Sequence, residues 1–67
     1  MIGIIVNGEP RDLSASVSVA ALLAELALDA RKVAVERNEA IVPRSAYATT
    51  MLASGDRLEI VHFIGGG

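Results

Sequence analysis

The sequence has no cysteine and a single histidine, His62. Neither disulfides nor a zinc cluster can therefore staple this chain of 67 residues, although one core of that size rarely supplies more than ~3–5 kcal/mol. Apolar burial has to hold it together. Hydrophobic residues make up 52% of the chain, weighted to alanine, valine, leucine and isoleucine, as in folded globular domains. That is enough for one small domain and no more, because a second core would leave neither with sufficient buried surface.

Charge narrows the function classes. Six lysines and arginines stand against eight aspartates and glutamates, a net charge of -2, so phosphate backbones are not attracted. The only aromatic rings are those of Tyr47 and Phe63, too few to make a platform for stacking bases. No basic region precedes the apolar run Met1 to Val6, and that run is shorter than the core of a signal peptide. The longest mostly apolar stretch, Val17 to Leu28, falls short of the ~20 residues that span a bilayer. The expected setting is cytoplasmic.

Periodicity orders the elements. Met1 to Val6 is rich in isoleucine and valine, and Asn7-Gly8 follows, a pair suited to the positive φ angles of a type I′ hairpin turn. The second arm, Glu9 to Leu13, contains Pro10, which lacks an N–H and so points to a sheet edge. Val19, Leu22, Leu23 and Leu26 then follow the spacing of a helix with one buried face. Ser18 is the expected N-cap, Val17 is placed to staple onto Leu22, and the helix is expected to end near Ala27 or Leu28. Val33 to Val35 and Ala40 to Val42 read as strands joined through a turn at Asn38-Glu39, with Pro43 stopping the second. A short helical turn and loop is expected between Ser45 and Ala53, anchored by Tyr47, Met51 and Leu52. Ser54-Gly55-Asp56 turns the chain into a last strand, with Leu58 and Ile60 on one face and Glu59, Val61 and Phe63 on the other.

This order predicts an α+β roll: a mixed sheet of about four to five strands with one main helix packed across it. The first and last strands are the most apolar and are expected side by side in its middle. Residues 1–64 form the domain in this reading, and residues 65–67 a flexible glycine tail.

Half of the chain's six glycines are Gly65, Gly66 and Gly67. One account is an inert disordered tail or a cloning scar. The other is steric: residues without Cβ can thread a narrow slot in an enzyme and present a carboxylate there. Ile64 to Gly67, fully extended, would reach about 13 Å. An ionised carboxylate is a poor acyl donor and needs activation. No phosphate-binding glycine loop is present, since Gly3, Gly8 and Gly55 stand alone, so ATP chemistry has to belong to a partner and no bound cofactor is expected. His62 reads as an ordinary strand histidine, with no nucleophile motif and no ligand spacing around it. Arg44 and Tyr47 read as a solvated arginine and a half-buried tyrosine more readily than as partner contacts. Val61, Phe63 and Ile64 have two readings that stand together: core residues, or an apolar docking patch leading into the glycines.

The segment Ile60-Val61-His62-Phe63-Ile64-Gly65-Gly66-Gly67 resembles the C-terminus of the ThiS family of thiamine-biosynthesis sulfur carriers. Met1 to Gly8 is similar to that family's opening strand and turn, Val33 to Asn38 with Ile41-Val42-Pro43-Arg44 to its central hairpin, and Ser54-Gly55-Asp56 to its final turn. The resemblance covers the whole chain and implies the ubiquitin-like β-grasp fold. It implies that Gly67 is adenylated by a separate ATP-using enzyme, ThiF, and converted to a thiocarboxylate with sulfur from a donor system such as a cysteine desulfurase. It further implies that the sulfur passes to thiazole synthase, ThiG, for the thiazole ring of thiamine. The chain is then a protein cosubstrate and not an enzyme, with Gly65 and Gly66 threading the partner's active site. Gly65 departs from the pattern, because many members lack a third glycine. Sheet edges and the region of Val61, Phe63 and Ile64 are the docking candidates. Three rivals remain at this level: a small subunit of molybdopterin synthase, a ubiquitin-like modifier joined to lysines, and an interaction module with an inert glycine end.

Overall fold

The β-branched segments and the single amphipathic stretch form the elements their patterns demand. The computed structural model describes residues 1–63, with strands β1 (Ile2–Val6), β2 (Glu9–Leu13), β3 (Val33–Arg37), β4 (Ala40–Val42) and β5 (Arg57–His62), and one helix, α1 (Val19–Glu25). The five strands make one sheet in the order β2-β1-β5-β3-β4. β1 and β5 are parallel, and every other neighbouring pair is antiparallel. β5 is therefore the central strand, and the Pro10-bearing β2 is an edge, as its missing N–H requires.

Both hairpins turn through left-handed residues: Asn7 and Gly8 have φ of 50° and 83°, and Asn38 and Glu39 have φ of 52° and 71°. Such pairs match the right-handed twist of the flanking strands. At α1, the Ser18 hydroxyl accepts a hydrogen bond from the Ala21 N–H at 3.1 Å, and Val17 packs against the core beside the helix start.

The helix stops about two residues short of the expected end. Ala27 takes φ of 59°, the Ala27 N–H donates to the Ala24 carbonyl, and the Leu28 N–H donates to the Leu23 carbonyl. These are the paired bonds of a Schellman motif, closed here by an alanine where glycine is usual. Without that glycine, the stop carries no signal in the sequence.

Val19, Leu22 and Leu23 of α1 join Ile4, Leu13, Val33, Val35, Val42, Leu58 and Ile60 of the sheet in a single core, with Tyr47 and Leu52 from the loop. The Tyr47 hydroxyl donates to the Val33 carbonyl at 3.3 Å, so the ring is buried with its polar end satisfied and Tyr47 is not half-buried. Met51 is a correction: it is 51% exposed and anchors nothing. Its backbone bridges Ser18, and the Leu52 N–H donates to the Val17 carbonyl. In this extended segment alternate residues point to opposite sides, so Leu52 faces in and Met51 faces out. The expected helical turn is a single 3₁₀ turn, Arg44–Ala46. No helix among the described residues is long and apolar enough to cross a membrane.

Candidate functional site

The candidate site is the end of β5 and the chain that follows it, so what holds β5 decides the site's geometry. Its first half is laid along β1: the Ile5 N–H donates to the Asp56 carbonyl at 3.0 Å and the Asn7 N–H to the Leu58 carbonyl at 2.9 Å. There β1 ends, and a side chain takes over. Asn7 Oδ1 accepts from the Ile60 N–H at 2.7 Å, and Asn7 Nδ2 donates to the Ile60 carbonyl at 3.2 Å. One carboxamide thus does for β5 what another residue of β1 would have done, and it satisfies backbone groups that would otherwise be unpaired. On the other side β5 pairs with β3 through His62, and the Phe63 N–H donates to the Lys32 carbonyl.

The start of β5 is fastened by Asp56, a residue expected only to turn the chain. Asp56 is 5% exposed and accepts from Arg37 Nε at 2.8 Å, Asn38 Nδ2 at 3.1 Å and the Ala53 N–H at 2.8 Å. Burial pushes its pKa up, but the bonds from Ala53, Arg37 and Asn38 outweigh this and hold the carboxyl below its ordinary range. Asn38 also joins the strand directly, its Oδ1 accepting from the Arg57 N–H at 2.9 Å. The asparagines of the two hairpin turns therefore grip β5 at Arg57 and at Ile60. Both were legible only as turn residues. Their second role depends on a strand remote in sequence.

Between these fastenings the two faces of β5 diverge. Leu58 and Ile60 point inward and are buried, whereas Val61 and Phe63 are 59% and 48% exposed on the outer face. Of the two readings held for Val61 and Phe63, core packing is excluded. Ile41 of β4 is also exposed on this side. His62 is an exposed strand residue beside a hollow it lines with Val6, Leu26, Leu28 and Ile60. Arg44 is exposed and Tyr47 buried, which removes Tyr47 as a partner contact. Among the described residues no three histidine, aspartate or glutamate side chains converge as metal ligands. Ile64, Gly65, Gly66 and Gly67 lie outside the described residues, as does the division into a domain of residues 1–64 and a tail of residues 65–67.

Comparison with known proteins agrees with this geometry. The model of the ThiS family matches residues 4–67. A crystal structure of the thiamine biosynthesis protein ThiS from Geobacter metallireducens superposes with a TM-score of 0.85 at 35% identity, covering 98% of this chain and 100% of that one. The sulfur carrier protein ThiS of Bacillus subtilis is 46% identical over 46 residues, 69% of this chain and 70% of that protein. A thiazole synthase of Paramagnetospirillum magneticum is 61% identical over 64 residues, which are 96% of this chain and 20% of that protein. The chain thus spans about a fifth of the length of the thiazole synthases it matches.

Proposed function

Because this chain belongs to the ThiS family, we propose that it is a sulfur carrier of thiamine biosynthesis whose reactive group is a carboxylate at Gly67. The observation that carries the reading is the run Gly65-Gly66-Gly67 inside the family match, shortly after a central strand whose last turn outward exposes Val61, with Phe63 exposed beyond it.

The chemistry follows from the weakness of a carboxylate as an acyl donor. A partner of the ThiF kind would join it to the adenylyl group of ATP, with loss of pyrophosphate, giving a mixed anhydride in which AMP is a good leaving group. Sulfide would displace AMP and leave a thiocarboxylate directly; a persulfide from a donor such as a cysteine desulfurase would displace AMP to give an acyl disulfide, whose S–S bond a thiol would then reduce, releasing the thiocarboxylate and forming a disulfide with the donor. The chain contributes recognition surface and the acyl group, and the partner contributes catalysis. Gly65 and Gly66 suit passage through a narrow channel, since only backbone has to fit. Val61, Phe63 and Ile64 are the proposed docking residues beside that tail. The need for ATP makes the cytoplasm the compartment of this reading.

The acceptor we propose is a thiazole synthase of the ThiG kind. Its support is that a segment similar to this chain makes up about a fifth of proteins bearing that name.

Intact-mass measurement after incubation with the adenylating enzyme, ATP and a sulfide source tests the reading. The expected outcome is an ATP-dependent shift equal to one oxygen replaced by sulfur, mapped to Gly67, and no shift once a residue is appended after Gly67. A chain that stays unmodified beside a second carrier loaded by the same enzyme would reject the pairing and favour the molybdopterin branch or an inert end. Isopeptide linkage to lysines would favour a protein modifier.

A further inference from the structure

The direction in which the chain leaves the sheet has to be set before the glycines begin. Glycine is the residue least restricted in φ and ψ, so the run Gly65-Gly66-Gly67 supplies no direction of its own. What aims it is the end of β5, and that end is held unequally on its two sides. Toward β3 the pairing continues from Leu58 through His62, and the Phe63 N–H donates to the Lys32 carbonyl at 2.9 Å. Toward β1, among the described residues, strand pairing covers only Arg57 and Leu58. Past Leu58 that side carries the Asn7 carboxamide, its Oδ1 accepting from the Ile60 N–H at 2.7 Å and its Nδ2 donating to the Ile60 carbonyl at 3.2 Å. Beside it is the hollow that Val6, Leu26, Leu28 and His62 help to line, and a hollow gives a strand no packed support.

A strand fastened along one edge can swing about that edge, and bonds on the other edge fix its angle. We infer that Asn7 is a positioning residue of the carrier reaction: by holding both backbone groups of Ile60, its carboxamide fixes the angle at which β5 delivers the chain end to the adenylating partner. The inference rests on the reading given under Proposed function and adds to it a residue of the first hairpin that sets the rate. Asparagine meets both demands of the place. Its backbone takes φ of 50° in the turn, which asparagine tolerates better than most residues, and its amide offers one acceptor and one donor side by side. Aspartate meets the first demand only, because an ionised carboxylate still accepts from the Ile60 N–H but sets a second acceptor against the Ile60 carbonyl. Glycine also tolerates the turn and removes both bonds. In either variant β3 still holds β5, so the domain should fold and the effect should fall on delivery. A smaller share of bound complexes then brings the carboxylate in line with the phosphorus it attacks, and small misplacements reduce such rates by large factors.

The test compares the unaltered chain, Asn7→Gly, Asn7→Asp and Ser18→Ala as substrates of the adenylating enzyme with ATP and sulfide. Turnover at saturating carrier is read separately from the half-saturating carrier concentration, and each variant is also unfolded in urea. Ser18→Ala removes the helix cap, lowering stability through a group that makes no bond to β5. Asn7→Gly should turn over at least about tenfold more slowly, with the half-saturating concentration within about twofold of the unaltered value. Asn7→Asp should fall between the two at neutral pH. Ser18→Ala should turn over as the unaltered chain does, despite a lower urea midpoint. Turnover within about twofold of the unaltered value in both Asn7 variants would overturn this inference and leave the proposed function standing. An equal slowing of Ser18→Ala would overturn it as well, since lost stability would then account for the effect. A raised half-saturating concentration with unchanged turnover would make Asn7 a docking contact and overturn its positioning role. If Asn7→Gly does not fold, Asn7→Asp decides by the same readings. Failure of the unaltered chain to be loaded would overturn the proposed function and this inference with it.

Discussion

The two faces of β5 are made from one run of alternating residues and have opposite fates. On the inner face Leu58 is completely buried and Ile60 is 9% exposed, under a helix that contributes Val19, Leu22 and Leu23. On the outer face Glu59 stands opposite Glu36, while Val61 and Phe63 remain largely in contact with water. Nothing in the hydrophobicity of leucine, isoleucine, valine and phenylalanine separates the two sets. The separation comes from the helix, which covers one side only. A sheet with a single helical layer leaves its second face for other uses, and an apolar residue there adds little to the fold. In this domain the covered face sets stability, and the open face contributes little to it.

The largest effect should come from the covered face. Leu58→Ala removes a fully buried side chain beside the core helix and should destabilise the domain by about 2–5 kcal/mol, read as a fall in the urea midpoint. A loss within about 0.5 kcal/mol would erase the difference between the faces. Asp56→Asn should come next. It removes the carboxylate that accepts from Arg37, Asn38 and the Ala53 N–H and should cost about 1–3 kcal/mol near neutral pH.

The same variant sharpens the pH dependence. Asp56 has a lowered pKa in the folded state, so in acid the unfolded chain binds more protons than the folded one. Its stabilisation is complete above the unfolded carboxylate value of ~3.9 and is lost as pH falls through the lower folded value. Denaturation curves near neutrality and near pH ~3 should therefore converge more for Asp56→Asn than for the unaltered domain. The smallest effect on stability should be Val61→Ser on the open face, within about 0.5 kcal/mol. The same change should weaken binding to the adenylating enzyme. A Val61→Ser domain that unfolds as readily as Leu58→Ala would mean that the outer face also holds the fold together.

Much of this architecture is legible from residue pattern. The hairpin at Asn7-Gly8, the Ser18 cap, the edge position of Pro10 and the placing of Leu58 and Ile60 on one face of the last strand all follow from local rules of backbone geometry and alternation. Three features do not. Helix α1 closes at Ala27, where a left-handed backbone is imposed by the Leu28 to Leu23 bond and not by glycine. Met51 is as apolar as Leu52, but the bridge to Ser18 turns it outward. The third is the two asparagines, which look like turn residues because they are turn residues; their grip on Arg57 and Ile60 exists only once β5 is laid beside them.

By itself, the sequence determined the elements, their order, the faces of the last strand and the glycine run that follows it, because each depends on residues close together in the chain. The tertiary structure alone decided which apolar face stays open, which glutamates meet, and how a turn aspartate becomes a buried anchor. Those outcomes depend on pairs such as Glu36 and Glu59 or Arg37 and Asp56, brought together by strand register across many residues. Register is set by the whole sheet and its helix, and no local pattern contains it.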